Sequence, residues 1–341
     1  MAVTIKEIAS IAGVSRGTVD KVIHNRPGLR PETYEKVKKV LDDLNYRPDP
    51  LAKALVEKHD PYKIGVILTP DYNPFIQEML KGIERAKEEF QFFGLEVEVY
   101  LSQTLETQEQ IDALEHFRQA NVNGIALFPI NAPRVAAKAN ELIDAGIPIM
   151  TFNSQNTEIH GFCFLGQDHY KAGRIAAGLM HRALPQGGNV GVIISTLLLS
   201  CHTERLNGFR EQLAEYDPPI SIIDVRENLD RADLSQEIAA SYFDANPGLD
   251  GIYITGGGKG GLVPAVKSKP LPEKHCVLIG HDLTENAIAM LQDHTADFII
   301  NQRAEDQGYL IIKTLFEYLF KDIKPVEFYE IPIELMIKES L

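Results

Sequence analysis

From Lys63 to the C-terminus, short apolar runs alternate with longer amphipathic stretches, and this alternation constrains the fold more than any other feature. The apolar runs are "KIGVILT", "LEVEVYL", "GIALFPI", "IPIMTFN", "GFCFLG", "NVGVIIS", "ISIIDV", "GIYIT", "VLIG" and "FIIN". Between them lie segments such as "FIQEMLKGIERAKEEF" and "EQIDALEHFRQA", whose apolar residues recur at helical spacing. Strands that read as continuous apolar runs, each followed by a helix, build parallel sheets covered on both faces. The runs outnumber the strands of one comfortable sheet, so two similar α/β lobes with parallel sheets are expected. Every run is far too short to cross a bilayer, and no apolar segment behind a basic one marks the N-terminus for export.

The first sixty residues obey a different rule. "TIKE" at 4–7 is a Thr-x-x-Glu capping box, and Ile5, Ile8, Ala9 and Ala12 form one apolar face. Gly13 ends that helix and Ser15 can cap a second, whose stripe is Val19, Val22 and Ile23. "NRPG" breaks it, and a third helix starts at Pro31, with Val37, Val40, Leu41 and Leu44 turned back onto the first two. "RPDPLAKAL" at 47–55 has two helix-breaking prolines, then room for a short helix that is marginal by itself.

Charge separates the same two regions. The chain carries a net charge of −14, yet residues 1–60 hold 11 Lys/Arg against 9 Asp/Glu, leaving −16 for the rest. A mildly basic piece on an acidic body keeps a nucleic-acid partner open. Two helices joined by a tight Gly turn, the second opening at a capped Ser, also make a helix-turn-helix. Its second helix would present Ser15, Arg16, Gly17 and Thr18 to base edges, with Lys21 and His24 nearer the phosphates. An ordinary three-helix bundle fits this part of the pattern equally well.

Residues 4–55 resemble the headpiece of the lactose-repressor (LacI/GalR) family, through "TIKEIASIAGVSRGTV", "PETYEKVKKVLDDLNYRPDPLAKAL" and the spacing between them. The resemblance implies DNA contacts from Thr4, Ser15, Arg16, Gly17, Thr18, Asp20, Lys21 and His24. It also implies a hinge helix whose Ala52 and Leu55 enter the minor groove, Leu55 as an apolar wedge. Asp20 and Lys21 stand where the family usually has Ser and Arg, and Arg30 where it often has a capping Ser or Thr. A carboxylate facing phosphates needs a partner: either Arg16 or His24 one turn away, or a cytosine amino group.

The remainder is similar to the periplasmic sugar-binding fold that this family shares, in its ribose-binding-like branch. "NPFIQEMLKGIERA", "RLNGF", "GHD" and "NQ" carry that likeness. It implies effector contacts from Asn73, Phe75, Asn131, Asn153, Gln167, Arg205, Asp282 and Gln302. Such amides, with one Arg/Asp set and an aromatic ring, suit a polyhydroxylated ligand. Asn153-Ser154 replaces a familiar Asp-Arg pair, and "TGGGKGG" at 255–261 stands where Asn-Asp is usual, so ribose specificity is not inherited.

The chain thus divides into a small all-α helix-turn-helix headpiece over 1–46, a linker with the hinge helix over 47–61, and a two-lobed domain over 62–341. The first lobe is expected near 62–160 and 302–325, the second near 161–301 and 326–341. This describes a cytoplasmic transcriptional repressor that binds operator DNA as a homodimer, under control of a sugar or polyol held between the lobes, with no membrane partner. The alternative is a sugar-binding protein of a transport system. An enzyme is the third reading, carried only by Gly256, Gly258 and Gly261, which satisfy G-x-G-x-x-G. Pro264 is expected to interrupt the segment after that loop, and Lys259 to be solvated, the alternative being contact with an anionic effector. No H-E-x-x-H pair or G-x-S-x-G elbow is present, and Cys163, Cys201 and Cys276 are scattered like buried small hydrophobes. No catalytic residue, metal site or cofactor is therefore expected.

Overall fold

The structure is a computed structural model, and it describes residues 5–23, 28–44, 61–268, 275–321 and 323–341. It divides into a small N-terminal unit and a large one that begins at Pro61.

In the small unit, α1 (Ile5–Ala12), α2 (Arg16–Ile23) and α3 (Pro31–Asp43) lie where the apolar spacing puts them. Gly13 turns the chain between α1 and α2 at φ 62, a conformation that costs glycine little. Ser15 Oγ accepts from the Thr18 amide at 3.2 Å, the N-cap read from the sequence. Ile8, Ala9, Ala12, Val19, Val22 and Val37 close into a core. Arg30 precedes α3 without a side-chain cap, and Pro31 opens that helix instead.

In the large unit the chain runs β1 (Tyr62–Leu68), α4 (Pro74–Phe90), β2 (Leu95–Leu101), α5 (Thr107–Gln119), β3 (Gly124–Leu127), α6 (Pro133–Asp144), β4 (Ile149–Phe152) and β5 (Cys163–Gly166). It continues through α7 (His169–Ala183), β6 (Gly188–Ile194), α8 (Ser200–Leu213), β7 (Ile220–Glu227), α9 (Ala232–Ala245), β8 (Gly251–Ile254), α10 (Leu262–Ser268) and β9 (Val277–His281). Last come α11 (Glu285–Gln292), β10 (Phe298–Asn301), α12 (Ala304–Lys321), β11 (Phe328–Glu330) and β12 (Glu334–Met336). All ten apolar runs are strands.

Two six-stranded sheets result, ordered β11-β5-β4-β3-β1-β2 and β12-β10-β9-β8-β6-β7. All pairings are parallel except β10 with β12. The orders are the same doubly wound pattern twice, each reversing direction beside its first strand, where a crevice opens at the C-terminal strand ends. The lobe limits differ from those expected. Cys163–Gly166 pairs with β4 and Phe328–Glu330 pairs with β5, so both strands belong to the first sheet. The chain therefore changes lobes after Gly166, after Asn301 and after Glu330. Apolar periodicity marks Cys163–Gly166 as a strand but not the sheet it joins, and it does not mark the edge strand Phe328–Glu330 at all.

One helix pair in each lobe packs backbone against backbone. In the first, an added Cβ on Gly82 would lie 1.8 Å from the Glu305 carbonyl oxygen, and one on Gly308 2.0 Å from that of Met79. In the second, the same holds for Gly173 against Arg205 at 2.1 Å and Gly208 against Tyr170 at 2.0 Å. These glycines bring α4 onto α12 and α7 onto α8, which sets the start of each helix beside its crevice.

Candidate functional site

The crevice residues sit where strands end and the backbone has to turn sharply. Asn153 follows β4 at φ 57, Asp230 follows β7 at φ 58 and Asp282 follows β9 at φ 69. Asn and Asp tolerate this left-handed conformation better than bulkier residues, and its concentration at one place is a recurrent mark of binding sites. Asn73 caps α4 through a 3.0 Å bond from the Phe75 amide, with Pro74 at the first helical position.

Six of the eight expected effector residues come together here. Arg205 is 1% exposed; its Nη1 donates to the Thr255 carbonyl at 2.6 Å and its Nη2 to His169 Nδ1 at 3.1 Å. His169 Nε2 meets the Asn153 carbonyl, which can only accept, so the imidazole proton is on Nε2 and Nδ1 is free to accept from Arg205. Asn153 Nδ2 donates to Gln302 Oε1 at 3.1 Å, and Gln302 Nε2 donates to Asp282. Phe75 is buried beside Asp282 in a cavity of about 330 Å³. Asn73 Nδ2 reaches Asp230 Oδ2 in the other lobe at 2.9 Å. Further bonds across the crevice join Ser154 Oγ with the Ser200 amide at 3.0 Å and the Asn131 amide with the Leu198 carbonyl at 2.8 Å.

The other two stand apart. Asn131 is exposed, and its described contact is that backbone bond. Gln167 is buried at a lobe crossing, where its Nε2 donates to the Asn301 and Pro332 carbonyls at 2.9 and 2.8 Å. It pins three passing chain segments together.

Sequence reading missed Asp230 and misjudged Lys259. Lys259 is 4% exposed rather than solvated. Burial pushes its ammonium pKa down, which Asp282 and Asp230 oppose and Arg205 reinforces. Asp230 Oδ1 accepts from the Gly257 amide at 2.6 Å, and burial pushes its carboxyl up. Both residues border a cavity of about 300 Å³ that also touches Tyr72 and Pro74 of the first lobe. Cavities of this size suit small ligands. Asp230 could have been suspected only from its place just beyond a strand, and nothing near Lys259 in sequence announces burial.

The glycine loop is explained by these neighbours. A Cβ on Gly256 would lie 2.7 Å from His202 and 2.8 Å from Asp230, and one on Gly257 3.0 Å from Asp230. Pro264 does not interrupt the segment after the loop; it sits inside α10, near its start. A phosphate cradle needs free amides, and the Gly257 amide is already given to Asp230.

Three buried histidines surround the crevice. Burial, then the Arg205 charge, holds His202 at a pKa of about 3, and pushes those of His169 and His281 well down. An unfolded imidazole takes up a proton near pH 6.5 while these do not, so stability present above that pH is lost as it falls toward 3. His202 alone should cost about 2 kcal/mol between pH 7 and 5, and His169 and His281 act in the same direction. Asp230 works in the opposite sense but is one group against three. Urea unfolding at the two pH values checks this; equal stability would mean that the histidines titrate normally.

In the small unit, Arg16, Gly17 and Lys21 are exposed on α2, and Thr18 is half-buried. Ser15 and Thr18 hydroxyls share a 2.9 Å bond at the start of that helix. Thr4, His24, Ala52 and Leu55 lie outside the described residues, as does the side chain of Asp20. Among the described residues no group of side chains could hold a metal ion, and no helix is long and apolar enough to cross a membrane. Cys163, Cys201 and Cys276 are buried free thiols, as expected, and burial pushes Cys201 up to about 12.

Two families match the chain. "Periplasmic binding protein domain" covers residues 64–322, and "Bacterial regulatory proteins, lacI family" covers 4–49. The sucrose operon repressor of Pediococcus pentosaceus is 30% identical over 52% of this chain and 51% of its own, so the chain spans about half of that relative's length. The ribose operon repressor of Halalkalibacterium halodurans (strain C-125) is 24% identical over 99% of this chain and 96% of its own. A sugar-binding protein of a sugar ABC transporter from Bacillus halodurans superimposes with a TM-score of 0.71 at 26% identity, over 82% of this chain and 98% of that one.

Proposed function

Because the chain belongs to the periplasmic-binding-protein domain family and carries a lacI-family regulatory headpiece, we propose that it is a DNA-binding transcriptional repressor controlled by a small polyhydroxylated effector. The observation that carries this is the joining of the two parts: a helix-turn-helix whose second helix exposes Arg16 and Lys21, and a crevice lined by Asn73, Arg205 and Asp282. A transport protein has no use for the first part. The role is binding rather than catalysis, in the cytoplasm where operator DNA is found.

Arg16, Gly17 and Thr18 read base edges, Lys21 meets phosphate, and Leu55 acts as the minor-groove wedge of a hinge helix within 47–61. Two copies act together, since a two-fold operator needs two headpieces. The effector touches both lobes, so it favours one lobe arrangement by its differential affinity, and operator and effector are coupled reciprocally. The sucrose and ribose operon repressors support a sugar or polyol as its class.

A thermal-shift screen of sugars, polyols and their acids and phosphates tests the effector site. A ligand at a hundred times its Kd should add about 2.7 kcal/mol of stability. No shift with any compound of these classes would remove the assignment.

A further inference from the structure

The crevice holds two buried cations, and neither is ion-paired among the described residues. Arg205 is 1% and Lys259 4% exposed, and no described carboxylate oxygen lies within 4.0 Å of either cationic group. Arg205 is held only by neutral partners, the Thr255 carbonyl and His169, and its buried Nε–H has none among the described residues. The Lys259 ammonium donates to no described acceptor, although it lies within electrostatic reach of Arg205, Asp230 and Asp282.

The carboxylates that could neutralise these cations are occupied by neutral donors. Asp230 takes the Gly257 amide and the Asn73 side chain, and Asp282 takes the Gln302 side chain. An unpaired buried charge is costly, and such groups are retained where a partner of opposite charge completes them. The unspent hydrogen-bonding capacity beside these carboxylates includes the three N–H of Lys259 and the Nε–H of Arg205. A ligand that matches it brings acceptors and negative charge.

We propose that the effector carries an oxyanion, a carboxylate or a phosphate, beside its hydroxyls, and that Lys259 receives it with Arg205 supporting the charge. This rests on the reading of the crevice as the effector site. Lys259 is then a specificity-determining residue: its ammonium separates the acid or phosphate of a sugar from the neutral sugar. Asp230 fixes the glycine loop that carries Lys259 and joins it to Asn73 of the first lobe.

Calorimetry on the full chain with matched pairs tests this. One arm sets aldonates against the corresponding alditols, the other hexose 6-phosphates against the free hexoses, in gluco, galacto and manno configurations. In one arm, the oxyanion member should bind wild type about tenfold to a hundredfold tighter than its neutral partner, the range expected for a hydrogen bond to a charged group. Lys259→Met should erase that preference, and Lys259→Arg should keep part of it. The unliganded melting temperature of Lys259→Met should hold or rise, because an unpaired buried charge is replaced by an apolar group of similar length. Tighter binding of the neutral members, or a preference that survives in Lys259→Met, overturns the proposal and leaves the effector site standing. Binding of no member overturns both.

Discussion

Arg205→Ala is expected to abolish effector binding and to lower the stability of the effector-free protein by about 4 kcal/mol. The two effects share one cause. The guanidinium satisfies the Thr255 carbonyl and His169 Nδ1 in a region without solvent, and each partner left unpaired costs roughly 1–3 kcal/mol. Loss of a large, fully buried side chain adds a cavity term of similar size. The crevice suffers as well, because His169 is held between Arg205 and the Asn153 carbonyl of the opposite lobe. Arg205→Lys keeps the charge but not the fork of donors, so it should recover some stability and little affinity. Denaturant unfolding and calorimetry together read both effects. Wild-type affinity in Arg205→Ala would place the effector elsewhere.

Gly82→Ala and Gly208→Ala are expected to destabilise the protein by about 3 kcal/mol each, the top of the usual range for an overpacked core position. The new methyl would meet a backbone carbonyl oxygen, at 1.8 Å in the first lobe and 2.0 Å in the second. A side chain could rotate away, but here two helices must separate along their whole contact. The helices involved set the position of Phe75 in the first lobe and of His169 and Arg205 in the second. The same substitution at Gly94 or Gly146 meets no atom within 4 Å, although both adopt positive φ. Melting curves of the variants read the cost, and an unchanged Gly82→Ala midpoint would show that α4 and α12 can move apart freely.

Much of this fold is legible in the chain. Runs such as "VGVIIS" are strands because a sheet covered on both faces accepts apolar residues at every position, and the ten runs locate ten strands. The edge strands "FYE" and "ELM" are three residues each and none of those residues is buried, so neither length nor periodicity marks them. That is why the last lobe crossing lies after Glu330 rather than at 325; at β5 the run is legible but not the sheet it joins. At the site, Arg205 and Asp282 are legible through motif context, whereas Asp230 and Lys259 owe their place to β7 and β8 flanking β6 on either side. Lys259 reads as a surface residue because lysine so rarely loses all contact with water. Gln167 stands apart from the crevice for the opposite reason: an amide beside a strand end can bind a ligand or satisfy passing carbonyls, and residue type does not distinguish them.

Selection of random duplex DNA by the full-length protein tests the central claim most directly. A repressor with two headpieces should enrich a sequence with two inverted half-sites. It should bind that sequence at least about a thousandfold more tightly than random DNA at physiological salt. Its affinity should fall steeply as salt rises. Failure to enrich any sequence, or equal affinity for selected and random duplexes, would contradict the account.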